Sequence, residues 1–283
     1  MIIVRSVAAL REAVRDARRA GARVGLVPTM GAFHEGHLSL MRRAKAASGF
    51  GVVSLFVNPT QFNEASDLER YPRDEQRDAA MAESTGVDVL FAPSVEEVYP
   101  SGFTTFVEVN ALAEPLEGVV RGAQHFRGVA TVVTKLLNMA QPDDAYFGQK
   151  DAQQALIIRR LVRDLDLPVR IEICPTLREA DGLAMSSRNV LLDPASRARA
   201  ATLSKALFAI ERGTREGERR AKPLLTRAHA ILDAEGIVPE YLAMVDASTL
   251  APVDLVDRET LVPIAARFGA VRLIDNVLLG GAS

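Results

Sequence analysis

His34 and His37 stand three residues apart, with Gly36 between them, in the run Pro28-Thr29-Met30-Gly31-Ala32-Phe33-His34-Glu35-Gly36-His37. The run follows the apolar stretch 24–27 and leads into an amphipathic stretch that begins near His37. At such a strand-to-helix turn both imidazoles can face the helix N-terminus, where N–H groups without intrahelical partners and the positive dipole end attract anions. Gly31 and Gly36 permit a tight turn and a close backbone approach. Neutral or protonated, the rings act as donors toward phosphate oxygens. Zinc is the competing chemistry for His-x-x-His. No helical His-Glu-x-x-His exists here, however, and the other histidines, His125 and His229, are distant in sequence. No metal ligand is therefore assigned, and a purely structural pair is the remaining alternative.

Three further polar loops follow apolar runs. Asn58-Pro59-Thr60-Gln61-Phe62-Asn63 offers uncharged amides suited to a small hydroxylated acid, although Asn-Pro is also turn chemistry in its own right. Gly148-Gln149-Lys150-Asp151 precedes a helical pattern containing Gln153 and Gln154. Lys150, one of few lysines in an arginine-rich chain, puts a flexible ammonium within reach of a phosphate, and Asp151 can equally be a helix N-cap. Gly182-Leu183-Ala184-Met185-Ser186-Ser187-Arg188-Asn189 supplies two hydroxyls and a guanidinium suited to a polyphosphate. There is no Gly-x-x-x-x-Gly-Lys-Ser/Thr loop, no Gly-x-Gly-x-x-Gly after the first strand and no Gly-x-Ser-x-Gly elbow. Phosphate handling therefore falls to the histidine loop, Lys150 and the serine–arginine loop.

The elements that must position these loops alternate. Strands are predicted at 24–27, 52–57, 87–91, 145–147 and 169–174, and helices at 7–20, 37–47, 74–84, 129–139 and 152–164. That rhythm predicts an α/β fold with a Rossmann-like doubly wound parallel sheet, interrupted by an extended piece at 104–109. After about residue 180 come helical patterns at 196–212 and 224–234 and strand-like runs at 241–245, 260–265 and 271–274. The division expected is a domain over 1–178 that binds the substrates and a smaller α+β C-terminal domain over 179–283 that closes over the active site. The chain has 283 residues, 48% hydrophobic and 25% charged, with a formal net charge of −2, so nothing suggests a nucleic-acid partner. The single cysteine, Cys174, excludes an internal disulfide and reads as a small buried hydrophobe. The first ten residues carry Arg5 and no apolar leader, and the most apolar run, 50–57, is too short for a bilayer. No membrane association and a cytoplasmic location are expected.

The pairing of His34-x-Gly36-His37 after a strand with Met185-Ser186-Ser187-Arg188 downstream resembles the paired signatures of the nucleotidylyltransferase superfamily. Within it the chain resembles the pantothenate synthetase family at 28–37, 58–62, 67–73, 125–133, 148–154 and 181–189, and in the tail Arg272-Leu273-Ile274-Asp275-Asn276. The resemblance implies a two-step ligation using pantoate, β-alanine and ATP with Mg²⁺, by a homodimer, through a pantoyl adenylate. It implies that His34 and His37 act on the nucleotide phosphates, with His37 the proton-carrying group. Lys150, Ser186, Ser187 and Arg188 are implied around the phosphates, within nucleotide-binding stretches that include Met30, Gly31, Gly36, Gln149 and Met185. Gly148, Asp151 and the backbone near Leu177 are implied at the ribose and adenine. Gln61 and Gln154 are implied on pantoate, with Gln61 also near β-alanine, Met30 lining the site and Asn58 in the same amide loop. The chain departs from the family at Arg121-Gly122-Ala123-Gln124, one residue longer than the usual Arg-Pro-Gly and without its proline.

Overall fold

The computed structural model of the chain describes residues 1–63 and 65–280, so Glu64 and the last three residues of the expected C-terminal domain lie outside the described residues. Contacts divide the chain into two units, one of residues 1–148 and 153–174, the other of residues 149–152 and 175–283.

The first unit is built on six strands: β1 (Ile2–Val4), β2 (Arg23–Thr29), β3 (Gly49–Leu55), β4 (Val89–Phe91), β5 (Asp144–Gly148) and β6 (Arg170–Cys174). They pair in parallel in the order β1-β4-β3-β2-β5-β6. Successive side chains of a strand point to opposite faces, and both faces here are apolar. Val24, Leu26, Val52, Val89, Phe91 and Phe147 pack with helices Val7–Arg19 and Ala123–Ala140 on one side. Val27, Val53, Leu90 and Tyr146 pack with helices Glu35–Ser48 and Glu75–Glu83 on the other. Cys174 is buried in this second layer, and burial pushes its thiol up. The helix Val7–Arg19 shows the local logic. Ser6 Oγ accepts from Ala9 N–H at its start, and the buried Leu10, Val14 and Ala17 repeat at helical spacing.

The second unit carries helices Pro194–Ala200, Thr202–Arg215 and Ala221–Ala234 beside an antiparallel sheet of β7 (Pro239–Leu242), β8 (Val245–Asp246), β9 (Thr260–Phe268) and β10 (Val271–Leu279), in which β9 pairs with the other three. Gly213 lets the last two helices approach, since a Cβ there would stand 2.7 Å from Leu224 Cδ2.

Two local expectations change. The expected helix 196–212 is two helices, the first started by Asp193, whose carboxylate accepts from Ser196 N–H, with Pro194 in the first turn. The extended piece at 104–109 joins no strand, and Val107 N–H donates to Thr131 Oγ1 at 3.0 Å. β1 was not expected, because three residues are too few to display a period.

The helix Ala123–Ala140 packs against the turn Pro59–Gln61 through Gly128. A Cβ at Gly128 would lie 2.4 Å from Thr60 O and 2.8 Å from Gln61 N. Gly128→Ala therefore displaces that turn, at a cost of about 1–3 kcal/mol as in overpacked cores. A denaturant titration and the KM for the acid substrate expected from the sequence check this. Both shift together, and unchanged values would show that the turn does not depend on the close approach.

Candidate active site

β2 and β5 are in register only at Gly25–Asp144 and Leu26–Ala145. This pair is also where the strand order reverses, the place at which open parallel sheets bind ligands beyond their carboxyl ends. The histidine loop leaves β2 at this point. Thr29 Oγ1 donates to Ser54 O at 2.6 Å and anchors the end of β2 to β3. Gly31 follows at φ +88°, and a Cβ there would meet Leu55 Cδ1 at 2.8 Å and Asp78 Oδ2 at 2.9 Å, so the position excludes side chains. Ala32 also takes a positive φ, 53°, uncommon for a residue with a side chain.

Asp78, from helix Glu75–Glu83 and 1% exposed, holds this turn. Its Oδ2 accepts from Ala32 N–H and its Oδ1 from Phe33 N–H, each at 2.8 Å. His34 then caps helix Glu35–Ser48, its Nδ1 accepting from Gly36 N–H at 3.1 Å. His34 N–H in turn donates to His37 Nδ1 at 3.4 Å, closing a capping box with the ring centroids 4.2 Å apart. Because both Nδ1 atoms accept, both neutral rings carry their proton on Nε2 and present it as a donor.

The amide loop lies against the histidine loop. Gln61 Nε2 donates to Met30 Sδ at 3.0 Å, and Asn58 Nδ2 donates to Gln61 Oε1 at 3.0 Å and to Gly128 O at 3.2 Å. Asn58, 1% exposed, also accepts at Oδ1 from Thr60 Oγ1 and from the Tyr99 hydroxyl, which burial pushes up. His125 Nδ1 donates to Gln61 O at 2.8 Å. Met30, Asn58 and Gln61 thus form one hydrogen-bonded set, and His34 and His37 a second one further along the same loop as Met30. Gln153 is structural: it is buried, accepts from Glu117 N–H and donates to the carbonyls of Leu112 and Pro115. Gln154, next along helix Ala152–Asp164, is half-buried. Where the sequence departs from the resembled pattern, Gly122 at φ +77° forms a one-residue joint between helices Glu117–Arg121 and Ala123–Ala140.

In the second unit, Gln149, Lys150 and Asp151 form a 3₁₀ turn bound to Asn276. Asp151 is exposed at its end, and Gly148, just before it in the first unit, has open space where a Cβ would stand. The loop 182–189 folds back on Leu177 and Arg178: Met185 N–H donates to Leu177 O at 2.9 Å and Glu179 N–H to Leu183 O at 2.8 Å. Arg197 bridges Glu179 and Asp181 and holds the Asp181 carboxyl below the usual carboxylate range. Ser186 Oγ accepts from Arg188 N–H at 3.2 Å, while Ser187 is half-buried and Arg188 exposed. Two buried oxygens of this region, Thr176 Oγ1 and Asn189 Oδ1, find no hydrogen-bond partner.

A strand reversal bordered by a helix N-terminus that carries two imidazoles is the arrangement in which α/β enzymes bind anionic ligands. Comparison with known proteins narrows the class. The pantoate–β-alanine ligase family model matches residues 2–278. A pantothenate synthetase of Roseiflexus castenholzii is 54% identical over 257 residues, 90% of this chain and 92% of that one. Another, of Pelotomaculum thermopropionicum, is 48% identical over 281 residues, 99% of each chain. The crystal structure of pantothenate synthetase from Thermus thermophilus matches with a TM-score of 0.91 at 46% identity, covering 98% of this chain and 99% of that one. The Francisella tularensis pantoate–β-alanine ligase, complexed with β,γ-ATP and β-alanine, matches at 0.79 and 34% identity over 98% of this chain and 97% of that one. The chain belongs to the pantoate–β-alanine ligase family and is a ligase.

Sequence reasoning missed the supports. Asp78 carries a weak signal, an acid four residues before the buried Ala82 on the inward face of its helix. The resemblance marks the stretches that hold His125 and Asn276, but not their contacts with Gln61 and with the Lys150 turn, since each joins positions far apart in the chain.

Proposed function

We propose that the protein condenses (R)-pantoate with β-alanine at the cost of ATP, through a pantoyl adenylate, releasing pyrophosphate and then AMP. The observation that carries this reading is the meeting of two loops in the first unit. A pair of Nε2–H donors at a helix N-terminus adjoins an uncharged amide loop, tied to it through Met30 and Gln61. That suits a phosphorylated cosubstrate beside a hydroxy acid. In the first step the pantoate carboxylate, already ionised, attacks the α-phosphorus, and the bond to pyrophosphate breaks. In the second the β-alanine amine attacks the acyl carbon, a proton is lost from nitrogen, and AMP leaves.

Positioning and charge stabilisation are then the protein's main tasks. His34 and His37 donate to the phosphate oxygens on which charge accumulates, His37 carrying the key proton. Lys150, Ser186, Ser187 and Arg188 bind the phosphates. Met30, Gly31, Gly36, Gln149 and Met185 line the nucleotide, with Gly148, Asp151 and the Leu177 backbone at its ribose and adenine. Asn58 orients Gln61, which together with Gln154 grips pantoate, and Gln61 also meets β-alanine. Among the described residues no three His, Cys, Asp or Glu side chains converge as a metal cage. Mg²⁺ belongs to this reading as part of the substrate, held mainly by the triphosphate and sharing its charge. No helix among the described residues is long and apolar enough to cross a membrane. A cytoplasmic homodimer completes the proposal.

The test follows pyrophosphate and AMP separately in Mg-ATP. Pantoate alone yields stoichiometric pyrophosphate, and β-alanine makes AMP release catalytic. Turnover with other carboxylates but not pantoate would overturn the substrate assignment, and tight ATP binding without any turnover would point to a sensor.

A further inference from the structure

The 3₁₀ turn bearing Lys150 is held by a side chain 126 residues away. Asn276 on β10, 2% exposed, donates from Nδ2 to Gln149 O at 2.8 Å and to Lys150 O at 3.0 Å, and its Oδ1 accepts from Gln149 Nε2 at 3.2 Å. All three polar functions of the amide are therefore spent on this one turn. Beneath it Asp275, 3% exposed, accepts from Asn276 N–H at 2.7 Å and takes both ends of the Arg178 guanidinium, at 2.6 and 3.0 Å. Burial pushes the Asp275 carboxyl up, whereas the Arg178 fork, the Asn276 N–H and the nearby Lys150 charge favour its ionised form. Arg178 also stacks on Phe208 at 4.9 Å and donates to Gly182 O at 3.0 Å, at the start of the loop that carries Ser186, Ser187 and Arg188. A continuous polar chain thus runs from the Lys150 backbone to the serine–arginine loop, entirely within the second unit.

We propose that Asn276, seated on the Arg178–Asp275 ion pair, is a positioning residue that fixes Lys150 and the serine–arginine loop in one arrangement for the ATP phosphates. The inference rests on the reading of Lys150 and that loop as phosphate ligands. A buried ion pair adds little net stability compared with apolar packing, but its bidentate geometry fixes orientation. Misplacing a phosphate ligand by about 1 Å costs on the order of 10²-fold in rate.

The experiment is a double-mutant cycle on pantoate-dependent pyrophosphate release, with Lys150→Ala, Asn276→Ala and the pair. The expected result is a loss of roughly 10²–10³-fold for Lys150→Ala and at least about tenfold for Asn276→Ala, in kcat and not in the KM for pantoate. In the Lys150→Ala background Asn276→Ala adds less, because the part of its effect that acts through Lys150 is already gone. Asn276→Ser, which keeps one donor, falls between Asn and Ala, and it carries the same cycle if the alanine variant does not fold. If Lys150→Ala is impaired but the Asn276 effect multiplies with it in full, or is absent, positioning is overturned and the phosphate reading stands. If Lys150→Ala releases pyrophosphate at the normal rate, the phosphate reading itself fails, and the inference with it.

Discussion

Replacing His37 with alanine lowers pantoate-dependent pyrophosphate release by roughly 10²–10³-fold, the usual cost of removing one preorganised donor from a site of developing charge. The choice of partial replacement makes the prediction sharper. His37 Nδ1 is occupied by His34 N–H, so chemistry toward a phosphate falls to Nε2–H. Glutamine places an amide N–H close to where Nε2 stands, and asparagine places one close to Nδ1. His37→Gln therefore recovers part of the rate and His37→Asn does not. Asparagine at this position can still accept from His34 N–H through Oδ1 and keep the capping box, so the two variants unfold at similar denaturant concentrations while their rates differ. Equal activity in both would show that the Nε2 proton is not what His37 contributes, and full activity in the alanine variant would remove it from the reaction.

The second large effect is expected at Asp78, which touches no substrate in the proposed mechanism. Its two oxygens satisfy the N–H groups of Ala32 and Phe33, one of them in a residue at φ +53°, and its side chain is shut away from water. Alanine here leaves two buried donors without acceptors, at about 1–3 kcal/mol each. Asparagine in its place offers one acceptor and turns an NH₂ group on the other N–H. Asp78→Asn thus costs about 2–4 kcal/mol, from one lost charge-assisted bond and one unsatisfied donor. Pyrophosphate release falls along with stability, because the turn that delivers His34 and His37 loses its anchor. Urea titration gives the first quantity and a single-turnover assay at low temperature, where the variant is folded, gives the second. A variant that is destabilised yet fully active under those conditions would confine Asp78 to folding.

The sheet, its parallel winding and the order of the functional loops were legible in the sequence because they depend on local pattern. A run such as Val24 to Val27 is apolar on both faces only if both faces are covered, and that requires helices to alternate with strands. The strand-turn-helix of 28–37 was equally local, since Gly31 at φ +88° and His34 as N-cap are properties of the turn itself. The resemblance added activity and roles that no periodicity carries. What only the tertiary structure decided is which distant groups hold those loops: Asp78 across 46 residues from Ala32, Gly128 against Thr60, His125 on Gln61 and Asn276 on Lys150. An aspartate in a charged helical stretch and an asparagine near the end of a strand are ordinary surface residues until packing buries them. Burial then requires every polar atom to find a partner, and it is the fold that decides which partner lies within reach.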